Sequence, residues 1–136
     1  MSNIYTTARL FDAMQREQEM CLARIPDGQS DNYYRVRTVA QHMTYKGPEI
    51  APFTAYIRWG RNRAVIANIS AIPRKGENRN TMTRKGRMSV ILRVLEMLSP
   101  VVEVENVLNP DLSRYLAMAG YISDGARGYP SYRNRA

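Results

Sequence analysis

Apolar positions along this chain alternate between helical and strand periodicity. Leu10, Ala13, Met14, Cys21 and Leu22 recur at helical spacing between Arg and Glu positions, which predicts an amphipathic helix capped by Thr6 or Thr7 and ending near Ala23. Pro26-Asp27-Gly28 breaks that element. From Tyr33 to Tyr45 the pattern admits two readings: Val36, Val39, Ala40 and Met43 suit a helix, while the Val and Thr content also permits a strand near the end. After Gly47-Pro48, the residues Phe53, Ala55, Ile57 and Trp59 alternate strictly, which predicts a strand from Pro52 to Trp59 and a hairpin turn at Gly60-Arg61-Asn62. Ala64 to Ile72 is almost continuously apolar, as in a central strand, and Pro73 ends it.

The second half is more sharply punctuated. Gly76 to Thr83 is polar and aperiodic and reads as a mobile loop. A helix is predicted from Gly86 to about Leu98, with Met88, Ile91, Leu92, Leu95 and Met97 or Leu98 turned inward and Ser99-Pro100 as its stop. Val102, Val104 and Val107 belong to a strand from Val101 to Val107. Asn109-Pro110-Asp111 signals a helix start, Leu112, Tyr115, Leu116 and Ala119 share its apolar face, and Gly120 stops it before Tyr121 restarts a strand. The remainder is rich in Gly, Ser and Arg and fits a short hairpin or a loose basic tail over 124–136. With no repeat and 136 residues, the expectation is one domain whose core spans 52–123.

Composition narrows the classes. One cysteine, Cys21, excludes an intrachain disulfide framework and reads as a small buried hydrophobe. No apolar run approaches the roughly 18 residues of a membrane span, and the N-terminus lacks a secretory pattern, so a cytoplasmic or virion-associated protein with no membrane partner is expected. The formal charge of +8 points to an anionic partner: a phosphorylated cofactor, nucleic acid or an acidic protein. Arg58, Arg61, Arg63, Arg74, Lys75, Arg79, Arg84, Lys85 and Arg87 face only Glu77 within their span, and Tyr33-Tyr34-Arg35 with Tyr132-Arg133 could stack and clamp single-stranded nucleic acid. A solvated basic face produces the same pattern. The lone His42 has no motif around it, and no cluster has metal-ligand spacing.

The stretch VVEVENVLNPDLSRYLAMAGY, 101–121, resembles the closing half of the GCN5-related N-acetyltransferase (GNAT) family through Asn109, Leu116, Gly120 and Tyr121. The order strand, strand, basic loop, helix, strand, helix, strand over Pro52 to about Ser123 is similar to the GNAT core, and Ile69-Ser70-Ala71-Ile72-Pro73 resembles the end of its fourth strand. The resemblance implies an α/β (α+β) fold: a central mixed, largely antiparallel sheet flanked by helices. It implies acetyl-CoA or another acyl-CoA as cofactor, held in a splayed gap between the strand ending near Ile72 and that at Val101–Val107. Edge amides at Ile69, Ala71 and Ile72 would contact the acyl carbonyl and the pantetheine arm. In Thr83-Arg84-Lys85-Gly86-Arg87-Met88, which falls in register with the family's pyrophosphate loop, Gly86 and the amides of Arg87, Met88 and Ser89 would hold pyrophosphate. Arg84 and Lys85 would add charge, and Asn109 would orient the pantetheine or the strand–helix turn.

Thr83, Met88 and Leu116 depart from the family pattern, the last standing where a proton-donating Tyr is usual. Tyr115 is the neighbouring candidate acid, with a packed or surface tyrosine as its other reading. Glu103 is the candidate base; Glu105 lies on the same strand face, and both can instead balance arginines. The leading expectation is an acyl-CoA-dependent N-acyltransferase acting on an unidentified amine. The alternatives are a catalytically inactive GNAT-fold structural or binding protein, such as a bacteriophage virion component or homo-oligomer, and a nucleic-acid-binding or nucleic-acid-modifying relative.

Overall fold

The structure, a computed structural model, describes residues 4–25, 39–46, 52–72, 87–105, 107, 110–124 and 131–134. Helix α1 covers Ile4–Leu22, starting before the Thr6 or Thr7 cap that the sequence suggests. Its buried positions Leu10, Met14, Gln18 and Cys21, followed by Ile25 just past its end, form one stripe at steps of three and four residues. The ambiguous segment resolves as a strand, β1, over Val39–Tyr45, paired antiparallel with β2, Phe53–Gly60. Pairing decides it: Met43 and Tyr45 bury on alternate positions beside the alternating buried residues of β2. A two-residue turn at Arg61 and Asn62 returns the chain as β3, Arg63–Ala71.

Helix α2, Arg87–Leu98, then carries the chain back to β4, Val101–Val104. β4 lies parallel to β3, and this is the parallel pair of the described sheet, so the helix between them is a crossover. Helix α3, Pro110–Met118, leads to the short strands β5, Ile122–Asp124, and β6, Ser131–Arg133. Among the described residues six strands lie in the order β1-β2-β3-β4-β6-β5, a mixed, mostly antiparallel sheet flanked by three helices in an α+β arrangement. The fold class expected from the sequence is therefore found, with the sheet extended beyond the anticipated core by β1.

One face of the sheet makes the core. Phe53, Ala55, Ile57, Trp59, Ala64, Ile66, Val102 and Val104 meet Leu10 and Met14 of α1, Met88, Ile91, Val94 and Leu95 of α2, and Leu116 of α3. Local polar contacts fix how these layers meet. Gln18 Nε2 donates to the carbonyl of Leu98 at 2.9 Å, satisfying one of the last-turn carbonyls of α2 that have no helical partner. Helix α3 ends in a Schellman arrangement: the Tyr121 amide bonds to the Leu116 carbonyl and the Gly120 amide to that of Ala117, at 2.9 and 3.2 Å, with Gly120 at φ 90°. Asn134 clamps the start of β4. Its Oδ1 accepts from the Val102 amide at 3.0 Å, and its Nδ2 donates to the Pro100 carbonyl at 3.1 Å.

Candidate functional site

The feature that organises the site is a fork between β3 and β4. The parallel ladder runs from Arg63 opposite Val101 to Ile66 opposite Val104, and the amide of Glu105 adds a bond to the Ile66 carbonyl at 2.9 Å. Among the described residues no pairing of β3 with β4 continues beyond that bond, although β3 itself runs on to Ala71. Sequence patterning extends this strand to Val107; the structure ends it at Val104, because β3 has turned away from it.

A bulge is the cause of the divergence. In the β2–β3 ladder Tyr56 faces Asn68 and Ile57 faces Ile66, so Ala67 is an extra residue with no opposite number. Such an insertion bends the strand and increases its twist. It also reverses the alternation of the backbone. The Ile66 carbonyl points to β4, since it accepts from Glu105, whereas the Ile72 amide points to β2, donating to the Pro52 carbonyl at 3.0 Å. Counting back by twos from Ile72 assigns the amides of Ser70 and Asn68 to β2 as well. The amides of Ile69 and Ala71 therefore face the opening where β4 has left.

Helix α2 brings its positive end to the same place. It finishes at Leu98, immediately before β4 begins beside Arg63, and runs antiparallel to both strands. Its 12 residues span about 18 Å at about 1.5 Å each. That rise matches five or six strand residues beyond Arg63, at roughly 3.3 Å each, which puts the first turn of α2 level with Asn68 and Ile69. Arg87, Met88 and Ser89 make up that first turn, whose amides point out of the N-terminal end of the helix. The Met88 side chain is fully buried in the core and so does not itself cover the helix terminus.

The topology thus puts Ile69 and Ala71 and the first turn of α2, Arg87, Met88 and Ser89, at the same end of the sheet. Ile72 drops out of the expected set, because its amide is engaged by Pro52. Arg84, Lys85, Gly86 and Asn109 lie outside the described residues.

The two catalytic candidates sit elsewhere. Glu103 is buried within the paired part of the fork, 3.6 Å from Arg63 Nη1 and opposite Arg133 of β6. Tyr115 is half-buried beside Tyr121. The Tyr121 hydroxyl donates to Glu96 Oε1 at 2.7 Å, in the last turn of α2 and far along the helix from its start. Burial, then the bond to Glu96, pushes the Tyr121 phenol far above its usual range and keeps it protonated. Leu116, one position on from Tyr115, is fully buried in the core.

The alternative reading of Glu103 and Glu105, that both balance arginines, is what the structure shows, although the sequence did not say which arginines: Arg63 stands beside Glu103, and Arg58 of β2 crosses β3 on the face away from the core, its Nη2 donating to Glu105 Oε1. Ser113 of α3 and Tyr132 of β6 share a 2.5 Å hydrogen bond between hydroxyls. His42 is exposed on β1, its ring edge-on to Tyr56 at 4.5 Å between centroids. Burial raises the Cys21 thiol, with Glu17 adding to the effect and Arg24 opposing it, so this cysteine offers no ready thiolate. Among the described residues no group of His, Cys, Asp and Glu could hold a metal ion, and no helix is long and apolar enough to cross a membrane.

No protein-family model matches the chain, and no curated protein matches it. Among solved structures, that of a provisionally assigned acetyltransferase from Agrobacterium tumefaciens is similar at a TM-score of 0.44, with 13% sequence identity over 98% of this chain and 91% of that one.

Proposed function

We propose that this chain is an acyl-CoA-dependent N-acyltransferase of the GNAT type, with the fork between β3 and β4 as its acyl and pantetheine site. The observation that carries the reading is the bulge at Ala67, which turns the Ile69 and Ala71 amides into the opening, level with the start of α2. Two parallel donors one dipeptide apart suit the amide carbonyls of a pantetheine arm or the oxygen of a thioester. The first-turn amides of α2 suit a pyrophosphate, with Arg84, Lys85 and Gly86 of the preceding segment adding charge and close approach. In this role Glu103 and Arg63 brace the closed part of the fork, and Tyr115 stands apart from the chemistry.

Calorimetric titration with acetyl-CoA tests the reading, with Ala71→Pro and Ser70→Pro as a pair. Proline at 71 deletes an amide that faces the opening, a position where a strand tolerates it. Proline at 70 deletes an amide of the β2 ladder and should unfold or strongly destabilise the sheet. The expected result is acetyl-CoA binding that Ala71→Pro weakens by about 2- to 13-fold, the equivalent of one hydrogen bond of roughly 0.5–1.5 kcal/mol, with the thermal midpoint nearly unchanged. Folded wild-type protein that binds neither acetyl-CoA nor free CoA would overturn the proposal.

A further inference from the structure

Glu105 lies just past both ladders that hold β4. Among the described residues the β3–β4 register ends at Val104, and so does the β4–β6 register, where Val104 stands opposite Tyr132. The amide of Glu105 donates to the Ile66 carbonyl at 2.9 Å, its carboxylate accepts from Arg58 of β2, and the residue makes a further contact besides. Arg58 stands opposite Val65, and Val65 opposite Glu103. To reach Glu105, the Arg58 side chain therefore crosses β3 diagonally, beside the bulge at Ala67, and the pair spans two strand spacings of about 4.8 Å each. Val65 lies beneath this path on the outer face and is buried, as expected where long charged side chains lay their stems over an apolar neighbour. With side chains 33% and 21% exposed, the pair is partly sheltered and is screened less than a surface pair.

We infer that Arg58 is a positioning residue for the fork: a strap from β2 over β3 that fixes the point at which β4 leaves the sheet. Its bearing on ligand binding rests on the acyl-CoA reading of the fork, whereas the strap itself rests on geometry alone. The bulge at Ala67 bends β3 away from its neighbour, so the bond from Glu105 to Ile66 stands where the ladder is under most load. A single terminal backbone bond opens readily by local fraying. Arg58 opposes that opening, because the end of β4 cannot swing out without breaking a charge-assisted bond to a strand on the far side of β3. While the strap holds, the chain that follows Glu105 keeps its distance from the Ile69 and Ala71 amides. When it breaks, the branch point retreats to Val104, which β6 still holds, and that wall of the fork moves. Arg63 and Glu103 do not have this role. Glu103 sits inside both ladders, so backbone pairing fixes its place whether or not the 3.6 Å ion pair is made.

Backbone hydrogen exchange on the full chain tests the strap, in wild type, Arg58→Gln, Glu105→Gln and the double variant. Because Glu105 makes a further contact, the double-mutant cycle isolates the pair where a single variant would not. Each single variant should speed exchange at the amide of residue 105 by about two- to fivefold, and the double variant should add little to either. The Val102 amide, held by Asn134 from the β6 side, should exchange as in wild type. Acetyl-CoA affinity, read by calorimetry, should fall by a similar factor with the thermal midpoint within a few degrees of wild type. Arg58→Lys keeps the charge and the stem over Val65 and should recover part of both effects. Unchanged exchange at residue 105, or effects that simply add in the double variant, overturns the strap. Faster exchange with acetyl-CoA affinity unaltered overturns its bearing on the site. Folded wild-type protein that does not bind acetyl-CoA overturns the acyl-CoA reading, while the exchange cycle still decides the strap.

Discussion

Deleting Ala67 isolates what the bulge does. In a regular strand residues alternate between faces, so removal of one residue usually exchanges core and surface positions. Here the bulge has already broken the alternation once. Ala64 and Ile66 face the core, while Ile69 and Ala71 pair with the core positions Ala55 and Phe53. Without Ala67 these four residues fall on every second position of an unbroken strand. Asn68 and Ser70 keep their places opposite Tyr56 and Thr54. The amides of Ile69 and Ala71 still point away from β2. The variant loses the bend and retains the pattern of side chains and of hydrogen bonds to β2.

A straightened β3 runs alongside the chain that follows Val104 instead of leaving it. The Ile69 and Ala71 amides then meet backbone carbonyls or a narrowed gap, and a ligand loses two donors. At roughly 0.5–1.5 kcal/mol each, the loss is about 1–3 kcal/mol, or about 5- to 160-fold in affinity for acetyl-CoA. Thermal stability should hold or rise, because the ladder gains regularity. Calorimetry gives the affinity, and circular dichroism with a thermal scan establishes the fold. A folded variant that binds acetyl-CoA as tightly as wild type refutes the role of the bulge in opening the site. A variant that fails to fold refutes the identification of Ala67 as the surplus residue.

Three further outcomes test the framework. Glu17 Oε2 is buried with no hydrogen-bond partner among the described residues, and burial raises its pKa above the ordinary 4.5. Below that value both folded and unfolded chains hold the proton; as pH rises through the raised folded value, the unfolded chain ionises more readily and stability is lost. Glu17→Gln should therefore melt with wild type in acid and above it at pH 7, and equal midpoints at pH 7 would discount the burial effect. Gly120→Ala places a side chain at φ 90° where nothing lies within 4 Å, so backbone strain alone should cost about 1–2 kcal/mol and lower the midpoint by a few degrees. A larger loss would mean that packing, not strain, governs the position. Asn134→Ala should cost about 1–3 kcal/mol by leaving the Val102 amide without its side-chain acceptor, and should speed hydrogen exchange at that amide. An unchanged exchange rate would show that the clamp on β4 is dispensable.

Most of the fold was legible because burial writes itself into local periodicity. The alternation of β2, the inward stripe of α2 and the Gly120 stop of α3 all follow from positions that can be read one element at a time. β1 was legible only as one of two readings, a strand near the end of 33–45 beside a helix, and the pairing with β2 decides between them. The start of α1 was misjudged because Thr6 and Thr7 have the chemistry of caps wherever they stand, and the helix begins earlier. Among the site residues, Ile69 and Ala71 could be placed on a strand from sequence, but not on one edge of it. Deciding that Ile72 belongs to the opposite edge requires the bond to Pro52.

The bulge did leave a trace that periodicity alone could have found. Across 64–71, apolar residues at Ala64 and Ile66 give way to polar Asn68 and Ser70, while Ile69 and Ala71 fall opposite the core positions Ala55 and Phe53. A strand that stays against one core cannot change parity without an extra residue, and the only place for it is between Ile66 and Asn68. Reading the segment as a nearly continuous apolar run hides that change. For the Arg58–Glu105 couple the sequence says only that Glu105 can balance an arginine, not which one. Their separation of 47 positions is bridged by a crossover helix and a parallel strand, so their meeting is a property of topology. The backbone amides at the fork can thus be inferred from a local break in pattern, whereas the ion pair beside them becomes visible only once β4 is laid beside β3.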